Sequence, residues 1–147
     1  MQAFVGGDKL KKIIEDIKKK AANTVMKVGI LEGATNSEGD SIPEYAAELT
    51  FGKWPFMQRT VSKHAKEWSN NVADLIENQN WDFAAALQVV GDIASKDMQD
   101  MIQKFPKSPP NSEATIAIKK AGGYNPFDQP LLHTGDMLRA VSFEVDE

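Results

Sequence analysis

At 147 residues, 41% hydrophobic and 26% charged, the chain has room for one domain with a real core and the composition of an ordinary soluble globular protein. A net charge of −4 argues against a general nucleic-acid-binding surface, which is normally basic. The lack of cysteine excludes disulfides, thiolate zinc sites and cysteine nucleophiles, and His64 and His133 alone are a poor basis for a histidine metal centre.

Asp8 is placed to cap a first helix, with Leu10, Ile13, Ile14, Ile17 and Ala21 on one face. Lys9, Lys11, Lys12, Lys18, Lys19 and Lys20 fall largely on the other face and read as its solvated side rather than as a nucleic-acid patch. Asn23 stops this helix. Thr24–Leu31 follows as a strand, rich in β-branched residues and interrupted by Lys27. Glu32–Ser41 gathers Gly33, Asn36, Ser37, Gly39 and Asp40 and cannot bury enough apolar surface to fix itself. It is expected to be a hairpin tip or a mobile arm over residues 32–42, ordered mainly by neighbouring subunits, with Glu38 and Asp40 as candidate interface charges.

Pro43–Thr50 suits a short helix, with Pro43 in its first turn and Gly52 past its end. Pro55 opens a long helix whose apolar face is Met57, Val61, Ala65, Trp68, Val72, Leu75 and Ile76, and Asn78-Gln79-Asn80 breaks it. Asp82 caps a third helix with the stripe Phe83, Leu87, Val90, Ala94, Met98, Met101 and Phe105. Gly91 and several alanines on it permit close approach of a neighbour. Pro106, Pro109 and Pro110 end it. Asn111 or Ser112 caps a short helix to Lys120, ended by Gly122-Gly123. Thr134 is placed to cap a brief helix, Gly135-Asp136-Met137-Leu138-Arg139, with Asp136 in the first turn, where a helix favours negative charge. Val141, Phe143 and Val145 then alternate with Ser142 and Glu144 as a half-buried terminal strand.

The expected fold is therefore α+β in a single domain: long helices packed on one face of a small, mostly antiparallel sheet. Such a sheet has edges that invite pairing with another subunit.

Chemistry-bearing groups are sparse. His64 lies mid-helix and reads as a surface residue. His133, Thr134 and Asp136 resemble a nucleophile set, but capping already explains Thr134 and Asp136. Gly6-Gly7 and Gly122-Gly123 lack the lysine and serine spacing of a phosphate loop. Glu44 and Glu48 share a helical face, a spacing common by chance. No catalytic, cofactor or metal residue is assigned. Trp54, Phe56, Trp68, Trp81 and Phe83 are aromatics of the kind that mark interfaces; Trp68 and Phe83 fit the core better, whereas Trp54, and Phe127 between Pro126 and Asp128, sit in loops. No apolar run approaches the roughly 20 residues a membrane helix needs, and the amino terminus has no secretory pattern, so a cytoplasmic setting without a membrane is expected.

Three blocks give a more specific expectation. They are Tyr45-Ala46-Ala47 with Phe51-Gly52 and Pro55-Phe56-Met57-Gln58-Arg59; Asn111-Ser112-Glu113-Ala114-Thr115-Ile116; and Leu131-Leu132-His133-Thr134-Gly135-Asp136-Met137 before the terminal strand. In this order and spacing, over roughly residues 24–146, the chain resembles the neck and tail-completion proteins of tailed bacteriophages. His133 stands where that family often has aspartate, and Thr60 where proline often follows the arginine.

The resemblance implies a non-enzymatic virion protein. It would assemble with itself as a ring at the head–tail junction, meeting head-closure or connector proteins and tail proteins. DNA would pass through the lumen without sequence-specific binding, and the acidic balance suits sliding better than dense phosphate contacts would. Assembly would take place in the host cytoplasm. On this reading Trp54, Phe56, Arg59, Phe127, Glu38 and Asp40 are candidate interface residues, and Thr134, Gly135 and Asp136 form a structural motif. The alternatives are a tail terminator or other minor tail protein and, from another class, a small soluble regulator or hydrolase using His133.

Overall fold

The computed structural model describes residues 11, 12, 15, 18, 19, 23–36, 38–123, 128–132 and 135–146. In the amino-terminal segment Lys11, Lys12, Glu15, Lys18, Lys19 and Asn23 are helical and exposed, as expected for the polar side of a first helix. The expected cap Asp8 and apolar face Leu10, Ile13, Ile14, Ile17 and Ala21 lie outside the described residues.

Strand β1 (Val25–Ile30) pairs antiparallel with β2 (Val141–Asp146), with Val25 opposite Asp146 and Ile30 opposite Val141. Alternation sets the two faces. Met26, Val28 and Ile30, with Val141, Phe143 and Val145, turn inward; Lys27, Ser142, Glu144 and Asp146 turn out. On the outer face Lys27 Nζ lies 2.7 Å from Asp146 and 3.6 Å from Glu144. The hydrogen bond and charge of Asp146, then the charge of Glu144, raise the Lys27 pKa above the usual lysine value. All three groups are exposed, so these pairs contribute little stability.

The helices are α1 (Ile42–Thr50), α2 (Phe56–Asn78), α3 (Phe83–Gln103), α4 (Glu113–Ala121) and α5 (Asp136–Ala140). The fold is α+β, helices packed against a small antiparallel sheet. Caps follow local chemistry. Ser41 Oγ accepts from Glu44 N, Asp82 Oδ1 from Ala85 N at 2.8 Å, and Ser112 Oγ from Thr115 N at 3.2 Å. Pro55 provides no side-chain cap for α2; instead Thr50 Oγ1, at the end of α1, accepts from Met57 N at 3.2 Å and donates to Gln58 Oε1 at 2.6 Å. This couples the two helices across the Phe51–Pro55 turn.

Three expectations are corrected. First, the two long helices do not both lie across the sheet. Helix α3 packs on β1 and β2, and α2 packs chiefly on α3. Second, the buried side of α2 starts with Phe56, Thr60, His64 and Trp68, one residue out of step with the expected Met57, Val61 and Ala65. Val61 and Ala65 are exposed. Thr60 can be buried because its hydroxyl donates to Phe56 O at 2.6 Å. Third, the terminal helix begins at Asp136, with Gly135 in the capping position at φ +83°. The role expected of Thr134 lies outside the described residues.

The larger core cluster joins Ile42, Ala46, Phe56, Met98, Ile102, Phe105, Leu131, Met137 and Val141. A second, smaller cluster, Trp68, Val90 and Ala94, sits where α2, α3 and Met26 of β1 converge. The stripe expected on α3 is the backbone of both: Leu87, Val90, Ala94 and Met98 are buried.

Candidate interaction surfaces

The residues singled out in the sequence separate into distinct regions. At the amino-terminal end of α2, Trp54 is half-buried and donates its indole N–H to Pro109 O at 2.8 Å. Arg59, on the next turn, places its guanidinium carbon 4.9 Å from the centre of the Phe105 ring. Trp54 and Arg59 therefore both grip the chain that leaves α3. Phe56 between them is fully buried in the larger cluster, which corrects its assignment as an interface residue: it is the first inward position of α2. Phe127 lies outside the described residues. Nearby, Lys107 Nζ meets Asp128 Oδ2 at 2.6 Å, and that hydrogen bond, with the Lys107 charge, holds the Asp128 carboxyl below its usual range.

Glu38 and Asp40 stand apart on the loop after β1. Asn36 organises that loop, accepting through Oδ1 from Glu38 N and Asp40 N, both at 2.9 Å. A bridge between Thr35 and Ser41 closes its base. The segment is thus bonded within itself at Asn36 and at its Thr35–Ser41 base, with exposed carboxylates. Among the described residues no hydrogen bond or ion pair joins Glu38 or Asp40 to Trp54 or Arg59.

The exposed aromatics are Phe51, Tyr45 and Trp81. Phe51, at the end of α1, is 82% exposed, and Tyr45 is 52% exposed. Partial desolvation of its phenol and the charge of Glu48 raise the Tyr45 pKa. Trp81 is also exposed, in the turn between α2 and α3. Phe51 was legible as part of the Phe51-Gly52 block, but nothing in its spacing marked it as the most solvent-facing of these rings.

His64 is not the surface residue expected. Only 17% of its side chain is accessible. The ring stacks on Trp68, centroids 5.9 Å apart, and Nδ1 lies 3.6 Å from Asp97 Oδ2 and 3.7 Å from Glu67 Oε2. Trp68 Nε1 donates to the same Asp97 oxygen at 2.7 Å. Asp97 thus ties α2 to α3 through the Trp68 indole, with the His64 ring beside it. His133, the other histidine, lies outside the described residues.

A polar clamp holds the segment that leads into α5. Lys119, 3% exposed on α4, donates to Gln129 O at 2.8 Å and Leu132 O at 2.5 Å. Gln129 Nε2 donates to Phe105 O at 2.8 Å. Burial lowers the Lys119 pKa, opposed by the Asp128 charge. In the terminal block Arg139 Nη2 reaches Asp136 Oδ1 at 2.5 Å, within one turn.

A groove of about 570 Å³ runs between α2 and α3, lined by Trp68, Val72, Ile76, Leu87 and Val90 together with Met26 of β1. Its lining is apolar apart from Ser69 and Glu77. Among the described residues no cluster of His, Asp and Glu could hold a metal ion, and no helix is long and apolar enough to cross a membrane. The chain matches no protein-family model, no curated protein and no solved structure.

Proposed function

We propose that this chain is a structural subunit of a tailed-phage virion, assembling as a homo-oligomeric ring around the DNA channel at the head–tail junction, as a neck or tail-completion protein. The observation that carries the reading is the sheet. It has two strands, β1 and β2, and among the described residues neither outer edge has a partner. A two-stranded sheet is marginal alone, and open edges accept further strands. A ring of copies supplies them by edge-to-edge addition. Exposed Tyr45 and Phe51 add apolar anchors of the type that interfaces bury. The order of the three sequence blocks supplies the family, and the acidic balance suits a lumen through which DNA slides.

In this reading Trp54, Arg59 and the Lys119 clamp shape the subunit, whereas the strand edges, the loop tip bearing Glu38 and Asp40, and Phe51 meet neighbours. The test is electron microscopy of the purified protein, joined to complementation of a phage lacking this gene. Rings with a central channel, and infectious particles restored by both wild type and His133→Asn, are expected. If His133→Asn folds normally yet abolishes infectivity while Phe51→Ser and loop substitutions do nothing, the chain acts through chemistry at His133 and the proposal falls.

A further inference from the structure

We infer that the apolar side of residues 10–21, namely Leu10, Ile13, Ile14, Ile17 and Ala21, docks in the apolar groove between α2 and α3 of its own subunit, adding a third helix to that pair. Four observations support it.

The first is connection. Asn23 is helical, Thr24 follows, and Met26 of β1 already forms one wall of the groove. The segment is therefore tethered at the groove's mouth, and its docking is intramolecular, at high effective concentration. The second is length. The groove follows α2 from Ala65 to Glu77, about 18 Å at a helical rise of ~1.5 Å per residue, and residues 10–21 as a helix cover about 17 Å. The third is direction. Met26 packs with Trp68 and Val90, at the opposite end of the groove from Ile76 and Phe83. A segment running back from Met26 thus travels the full length of the groove, antiparallel to α2.

The fourth is charge. Between residues 65 and 77, α2 carries Glu67, Asp74 and Glu77 against the single cation Lys66. Lys11, Lys12, Lys18 and Lys19, with Glu15 the one acid described among them, are exposed on the polar side of the amino-terminal segment, so an apolar face seated in the groove leaves a net basic side at a rim of opposite sign. Lining by Val72, Ile76, Phe83 and Leu87 offers that face the kind of apolar surface that a helix stripe covers. This docking is independent of ring assembly and would hold in a monomer.

The chain has no cysteine, so engineered pairs report cleanly. In the full-length protein, Ile17→Cys or Ile14→Cys combined with Ala73→Cys should oxidise to an intrachain disulfide, read as a loss of two hydrogens by mass spectrometry without a change in subunit number. Lys18→Cys with Ala73→Cys, on the polar side, should stay reduced. Hydrogen exchange on the wild type provides a second measurement that needs no substitution: amides of residues 13–21 should exchange at least about tenfold more slowly than an unprotected helix. Disulfide-linked dimers from the Ile17 or Ile14 pairs would overturn the inference in favour of a neighbour's segment. Unprotected amides across residues 13–21, or equal oxidation of the Lys18 pair, would overturn it outright.

Discussion

Gly91 of α3 lies directly beneath the ring of Phe143 on β2. A Cβ on Gly91 would sit 2.6 Å from Phe143 Cε2 and closer still to Cδ2. The helix therefore reaches the sheet at a distance that only glycine permits. On a free helix, Gly→Ala gains about 1 kcal/mol. Here Gly91→Ala should instead destabilise the protein by about 1–3 kcal/mol, because a methyl forces the Phe143 ring or the helix to move. Urea unfolding measures this, and Phe143→Leu in the same chain should narrow the difference that Gly91→Ala makes. A stabilised Gly91→Ala would mean that α3 does not lie this close.

Lys119 should behave as a buried clamp. Lys119→Met removes the donor from Gln129 O and Leu132 O, and a loss of about 1–3 kcal/mol is expected for carbonyls left unpaired. Its pH dependence has a definite sign. The folded pKa lies below the unfolded value near 10.5, so between the two values the unfolded chain holds more protons, and stability rises with pH. Below the folded pKa both states are charged and the burial penalty is fully present. The gap between wild type and Lys119→Met should therefore widen as pH climbs through the window below 10.5. A constant gap would show that Lys119 is not desolvated.

Gly135 holds φ +83° at the start of α5, a conformation that costs a residue with a Cβ about 1–2 kcal/mol. Gly135→Ala should lower stability by that amount, Gly135→Asn by less, and Gly135→Val by more, since a branched side chain is least tolerant there. Denaturant midpoints give the order, and an Ala variant as stable as wild type would remove the strain from the account.

The caps and the terminal strand were legible because short-range chemistry determines them. Asp82 and Ser112 cap through their own side chains, and Val141, Phe143 and Val145 alternate. Gly91 was legible as a place of close approach, though not its partner Phe143. The inward face of α2 was misread because it carries polar residues. Thr60 is satisfied by Phe56 O, and His64 is held by Trp68 and Asp97. Each bond depends on the helix or on another element being in place, so composition at those positions points outward. Phe56 was misassigned for the converse reason: an aromatic after a loop proline looks available until α1, α3 and the segment before α5 close over it.

Phe51 separates folding from assembly. Being 82% exposed, it can be replaced by serine at a cost within about 0.5 kcal/mol of subunit stability. If it is buried between copies, Phe51→Ser should nevertheless weaken association by at least about tenfold, equivalent to ~1.4 kcal/mol. Sedimentation at several concentrations measures the second effect and thermal unfolding the first. Equal assembly of Phe51→Ser and wild type would remove Phe51 from the interface.

The most direct test of the central claim, that this is a ring-forming structural subunit, is the native mass of the purified protein across a concentration series. The account predicts a single closed oligomer whose mass is an integral multiple of the 16.2 kDa subunit, with Phe51→Ser shifting the population toward monomer. A monomer at every concentration, unchanged by the substitution, would contradict it.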